Sequence, residues 1–162
     1  MISKKMAKAL NKQLNAELYS AYLYLSMSSY TSFVNYGGAS RWLAGQAKEE
    51  MTHAQKFYEY IKSQGEHVIL DAVAKPPSEF KSLKHIFEQT LAHEKKVTAS
   101  IGSLMNAAIA EKDHATQIFL QWFVTEQVEE EESVNEVLAK LAMAGDTPGA
   151  LYIIDRELGA RQ

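Results

Sequence analysis

The chain has no cysteine, which removes disulfides, thiolate metal sites, thioether-bound haem and cysteine nucleophiles together. Any metal it holds must be bound by oxygen and nitrogen. Proline is nearly absent, with three residues, all outside the long periodic stretches, and the eight glycines lie mostly at segment ends. So few breakers predict an almost entirely helical chain. No apolar run approaches the ~20 residues that span a bilayer. Lys4, Lys5, Lys8 and Lys12 are spread along a helical pattern where a signal peptide would be continuously apolar. A soluble, cytoplasmic protein with no membrane partner is expected. The formal charge of -3 comes from interspersed signs. With no basic stripe to follow a phosphate backbone, no nucleic-acid partner is expected. The sequence also lacks an internal repeat and any low-complexity tract.

What is present is 162 residues at 46% hydrophobic content, enough for one domain, residues 1–162, with a substantial core. The spacing predicts a first helix from about Ser3 to about Asn35, stopped at Gly37-Gly38, and a second from about Ala39 to near Gly65, a residue suited to a C-cap. A third begins near Ser82, whose side chain can cap it, and reaches about Glu111; Asp113 can cap a fourth that runs to Gly145. Thr147-Pro148 reads as the N-cap and first-turn proline of a short fifth helix, through about Leu158. Short connections make helices 1 and 2, and helices 3 and 4, antiparallel hairpins. The segment from Glu66 to Lys81 differs. Extended, it can reach ~50 Å, more than the ~40 Å of a ~27-residue helix. It therefore reads as a crossover that starts helix 3 at the opposite end, with Val68, Ile69, Leu70 and Val73 available to lie on the bundle or on a second subunit. The expected fold class is all-α: a four-helix bundle with a long crossover between helices 2 and 3 and a short fifth helix.

Positions seven apart stay on one helix face. Leu10, Glu17 and Tyr24 share one such line, Leu43, Glu50 and Phe57 a second, Phe87, Glu94, Ile101 and Ala108 a third, and Phe123, Glu130 and Val137 a fourth. Each apolar line is broken once by a carboxylate. A lone buried carboxylate costs several kcal/mol unless it is paired or binds a metal, so four in one bundle call for a cation between them.

Glu50 and His53 are three apart and point to the same side of their helix, one turn from each other, where they can grip one ion. A Glu-x-x-His pair alone is common on surface helices; here its apolar context, with Leu43, Ala54 and Phe57, singles it out. Glu17 and Glu94 lie in the middle of their own helices, and midpoints of antiparallel helices meet at one height. On the fourth helix, Leu120, Gln127, Val134 and Leu141 form a core line beside Glu130, which places Gln127 and Glu130 toward the same interior. Tyr24, seven after Glu17, is either a core tyrosine with a satisfied hydroxyl or a donor of a hydrogen bond or an electron to the site. Glu49, Glu126 and Glu129 flank these residues on less buried faces, as part of a solvated charge run or as a third or exit metal position with Glu130. Glu131, Glu132 and Glu136 read as solvated. His67, His85, His93 and His114 have no partner at ligand spacing, and Met51 reads as packing.

With these residues placed, the chain resembles a non-haem bacterial or archaeal ferritin over nearly its whole length. The motifs that carry the likeness are Leu18-Tyr19-Ser20-Ala21-Tyr22, Glu49-Glu50-Met51-Thr52-His53-Ala54, Lys75-Pro76-Pro77, His93-Glu94 and Gln127-Val128-Glu129-Glu130. The resemblance implies a ferritin-like di-iron bundle in which Glu17, Glu50 and His53 hold one iron and Glu50, Glu94 and Glu130 the other, with Gln127 beside it. It also implies a third iron position at Glu49, Glu126 and Glu129, with Tyr24 as the site tyrosine. The implied activity is that of a ferroxidase, oxidising Fe(II) to Fe(III) with O2 or H2O2 and depositing the product as mineral inside a shell of 24 subunits. Bacterioferritins resemble this bundle but repeat the Glu-x-x-His motif, whereas the second motif here is Gln-x-x-Glu, so haem is not expected. A haem-containing bacterioferritin, and a cage that binds ions without turnover, remain the alternatives. Rubrerythrins carry a cysteine-rich iron domain that this chain lacks. The small DNA-protecting relatives lack a fifth helix.

Overall fold

The computed structural model describes residues 1–160; the last two positions of the expected 1–162 domain lie outside the described residues. Among these residues five helices follow one another: α1 (Lys4–Phe33), α2 (Gly37–Ser63), α3 (Leu83–Ala110), α4 (His114–Ala144) and α5 (Pro148–Ala160). No strand occurs among the described residues. Three of the starts are fixed by side-chain caps, where Ser3, Ser82 and Asp113 accept the backbone N–H of Met6, His85 and Thr116. At the fifth, the Thr147 carbonyl accepts the first helical bond, from Leu151, and Pro148 occupies the first helical position, where its missing N–H costs nothing.

One boundary differs from the expectation. α1 ends at Phe33, and Asn35, at a φ of 68°, makes the left-handed turn, a conformation that asparagine tolerates. Gly37 and Gly38 do not stop α1; they open α2. The reason for glycine at position 38 is contact with α5, because a Cβ there would fall 1.6 Å from the carbonyl oxygen of Asp155. That approach lets the Asp155 carboxylate accept the N–H groups of Gly38 (3.0 Å) and Ala39 (2.8 Å). α2, whose own N-cap Tyr36 offers no side-chain bond, is thus capped by a residue far along the chain.

α1 pairs with α2, α3 with α4, and α1 lies against α3, while α5 rests on α2 and α4. The crossover runs alongside α1 in the same direction, pinned at successive points. Asn11 receives the Ile69 N–H at 2.7 Å, Asn15 donates to the carbonyls of Asp71 and Ala72, and Ser26 donates to that of Pro77. Val68 packs on the bundle and Phe80 is buried in it, whereas Ile69 and Leu70 stay 60% and 64% exposed. Among the described residues no helix is long and apolar enough to cross a membrane.

The core is divided. One cluster gathers Tyr24, Met27, Leu43, Phe87 and Val134, the other Leu10, Leu14, Phe57, Ile101 and Phe123. Between the members of each heptad line that fall in different clusters stand Glu17, Glu50, Glu94 and Glu130. The polar residues form a layer across the bundle's middle.

Candidate metal centre

Mid-helix placement on four helices brings the layer together. Glu17, Tyr24, Glu50, His53, Glu94, Gln127 and Glu130 are all buried. One donor atom each from Glu17, Glu50 and His53 lies within 4.8 Å of the others, and the same holds for His53, Glu126 and Glu130. His53 belongs to both groups, its Nδ1 3.2 Å from Glu50 Oε2 and its Nε2 3.9 Å from Glu126 Oε1. The edges of Trp122 and Phe123 wall the imidazole, with ring centroids 5.3 and 6.0 Å away.

The protein supplies only part of what these carboxylates need. Glu17 Oε1 accepts a hydrogen bond from Gln13 at 2.8 Å, but its buried Oε2 meets no N–H or hydroxyl donor and faces only the Glu50 carboxyl. Buried polar atoms are seldom left so, and a carboxylate oxygen least of all. Glu94 is better provided: the Tyr24 hydroxyl donates to its Oε1, and Gln127 Nε2 donates to its Oε2 at 3.0 Å. Glu130 Oε2 accepts from Gln46 at 2.6 Å.

Crowding four carboxyl groups into a low-dielectric layer disfavours full ionisation. Burial, and then the charge of Glu50, pushes Glu17 well up, and burial followed by the charge of Glu94 does the same to Glu50. Burial also raises Glu94, against the hydrogen bonds from Tyr24 and Gln127. Glu130 is pushed to about 7 by burial and by the charges of Glu94 and Glu49. Burial, then the Glu94 charge, drives the Tyr24 phenol well above its usual value, so it stays protonated and donates. The free layer therefore holds protons at neutral pH that a cation would displace. Hard carboxylate oxygens with one imidazole suit a small first-row divalent ion such as Fe(II).

The flanking acids are not equivalent. Glu126 is half-buried and within reach of His53 and Glu130, whereas Glu49 and Glu129 are exposed and fall in neither three-residue group. Glu49 still adds its charge to Glu50 and Glu130. Glu132 and Glu136 are solvated as expected, but Glu131 is half-buried and accepts from the Thr98 hydroxyl at 2.6 Å. Met51 is 52% exposed and fills no gap in the core. His93, read as an ordinary histidine, packs edge-on to Tyr24 at 6.0 Å with its Nε2 2.7 Å from Ser20 Oγ, and burial lowers it to about 4. Gln13 and Gln46 were not anticipated. Their signal is positional: each lies four residues before a layer glutamate, on the same face, at a site that would otherwise be apolar.

A four-helix bundle crossed by a buried layer of carboxylates, one imidazole and amide donors defines a carboxylate-rich, metal-binding bundle of the ferritin-like class. Residues 7–144 match the ferritin-like domain family. The chain is 41% identical over 161 residues to a bacterial non-haem ferritin of Staphylococcus epidermidis, covering 99% of this chain and 97% of that protein. It is 40% identical over 158 residues to a bacterial non-haem ferritin of Escherichia coli O6:H1, covering 98% and 96%. Among solved structures, an open pore ferritin from the hyperthermophilic archaeon Archaeoglobus fulgidus aligns with a TM-score of 0.99 at 48% identity, covering 100% of both chains. The chain belongs to the ferritin family, in its non-haem bacterial and archaeal form.

Proposed function

We propose that this ferritin is an iron-storing ferroxidase, with the whole chain acting as one cytoplasmic unit and with Fe(II) as its substrate. The observation that carries the reading is the buried oxygen of Glu17 that meets no N–H or hydroxyl donor, in a carboxylate within 4.8 Å of ligand atoms from Glu50 and His53. Glu17, Glu50 and His53 would take one iron; Glu50, Glu94 and Glu130 would take the second, with Gln127 holding Glu94 in place. Glu126 and Glu130, with Glu49 and Glu129 at the mouth, would receive a third ion on its way in or out.

Oxygen donors favour the more highly charged ion, so the layer stabilises Fe(III) over Fe(II) and binding promotes oxidation. Two Fe(II) give up two electrons, which with two protons convert O2 to H2O2, or H2O2 to two waters. As iron enters, the layer's carboxyl groups give up the protons they held, and the reduction draws its two protons from that release and from solvent. Tyr24, protonated against Glu94, keeps that carboxylate oriented. The ferric product would leave past Glu126 and accumulate as an oxyhydroxide mineral inside a shell of like subunits. Ile69 and Leu70 on the crossover and Tyr22 and Leu25 on α1, all at least half exposed in one chain, supply apolar surface for that assembly.

The test is Fe(II) added without oxygen and then exposed to air, followed by ferric absorbance. The wild type should oxidise rapidly, and Glu50→Ala and His53→Ala at least tenfold more slowly. Equal rates in all three would leave a cage that binds ions without turnover.

A further inference from the structure

The layer has two sides of opposite character. Between α2 and α4 its mouth is acidic, with Glu126 half-buried beside His53 and Glu130, and Glu49 outside them. Between α1 and α3, on the other side of the bundle, a cavity of about 460 Å³ opens under the crossover; its lining includes Gln13, Ala16, Tyr19, Ala92, Lys96 and Ser100, and contains no carboxylate. Two side chains of its lining reach the layer: His93 packs on Tyr24, and Gln13 bonds to Glu17. Gln13 is 2% exposed; it lines the cavity, donates through Nε2 to Glu17 Oε1 at 2.8 Å, and accepts from the Ser100 hydroxyl through its own Oε1. Beyond it lies Glu17 Oε2, which meets no N–H or hydroxyl donor.

A divalent cation gains nothing on the α1–α3 side, where no carboxylate replaces its hydration water and Lys96 opposes it. A small neutral molecule is indifferent to Lys96 and finds Ala16, Leu23, Ala92 and Val97 among the walls that reach Gln13, the partner of Glu17. We propose that this cavity, closed toward the layer by Gln13 held against Ser100, is the port through which a small uncharged oxidant, dioxygen or hydrogen peroxide, reaches the bound iron. Iron and oxidant then arrive from opposite sides, and neither has to pass the other. This rests on the ferroxidase reading above.

The experiment separates the two. Ala92, exposed on α3 at the cavity wall, is changed to Trp to fill the space, and to Leu if the Trp variant fails to fold. Anaerobic Fe(II) affinity and the dependence of the oxidation rate on O2 and, separately, on H2O2 are then measured. The port predicts at least a fivefold rise in half-saturating oxidant, with Fe(II) affinity within twofold of wild type. Unchanged oxidant dependence in a filled variant that still binds Fe(II) would overturn the port, as would a rise in Fe(II) half-saturation matching that of the oxidant, which would make the cavity an iron route. A wild type that binds no Fe(II) would instead remove the ferroxidase reading, and the port with it.

Discussion

Glu130 is 5% exposed and holds its proton up to a pH of about 7, where an ordinary glutamate loses it near 4.5. In metal-free protein between these values the folded state binds more protons than the unfolded one, so stability falls as pH rises. The penalty is absent below the lower value and complete above the upper, on the order of 3 kcal/mol for this residue alone. Thermal unfolding without metal should therefore show a higher midpoint at pH 5 than at pH 8, and Glu130→Gln should flatten that slope. Glu17→Gln should raise the metal-free midpoint at pH 8 while removing rapid Fe(II) oxidation, because an amide keeps the shape and loses the repulsion with Glu50. Tyr24→Phe preserves a fully buried ring but removes the hydroxyl that holds Glu94 down. Fe(II) binding should then need a higher pH, read as a shifted midpoint in an anaerobic pH titration. At this scale the carboxylates were legible because each interrupts an apolar line at a heptad position. Gln46 and His93 were not, since their partners, Glu130 and Ser20, lie on other helices, and Gln13, four residues before Glu17 on the same face, carried a signal that went unread.

Helix ends show where reading the elements works and where it stops. Ser82 and Asp113 announce α3 and α4 because a cap is a local device, made within three residues of itself. Gly37-Gly38 misled because the demand for glycine comes from Asp155, more than a hundred residues away. Asp155→Ala would leave the Gly38 and Ala39 N–H groups without their acceptor, at a cost of about 1–2 kcal/mol. Amide exchange should quicken across α5 and the first turn of α2 while the middle of the bundle stays protected. Gly38→Ala should do more, since its Cβ cannot coexist with the Asp155 carbonyl unless α5 moves. The crossover was legible as a length; its path along α1 follows from Asn11, Asn15 and Ser26, polar residues whose partners are backbone groups that no sequence pattern displays.

In the whole molecule, the polar layer divides one apolar interior into two clusters, so the bundle's stability and its chemistry compete for the same positions. The proposed shell places a third demand on the surface, where Ile69 and Leu70 are exposed on a crossover otherwise held to α1 by polar contacts. Introducing Ile69→Glu together with Leu70→Glu should shift sedimentation from a large assembly to small species, with the helical circular dichroism unchanged; an unaltered assembly would place the interface elsewhere. Whether the layer binds paired Fe(II) is read from anaerobic calorimetric titration of the metal-free protein with Fe(II) near pH 7. Roughly two tight equivalents per chain should bind with release of protons, reduced by Glu50→Ala if that residue serves both positions as proposed. No tight binding, or binding that Glu50→Ala leaves intact, would contradict the paired site.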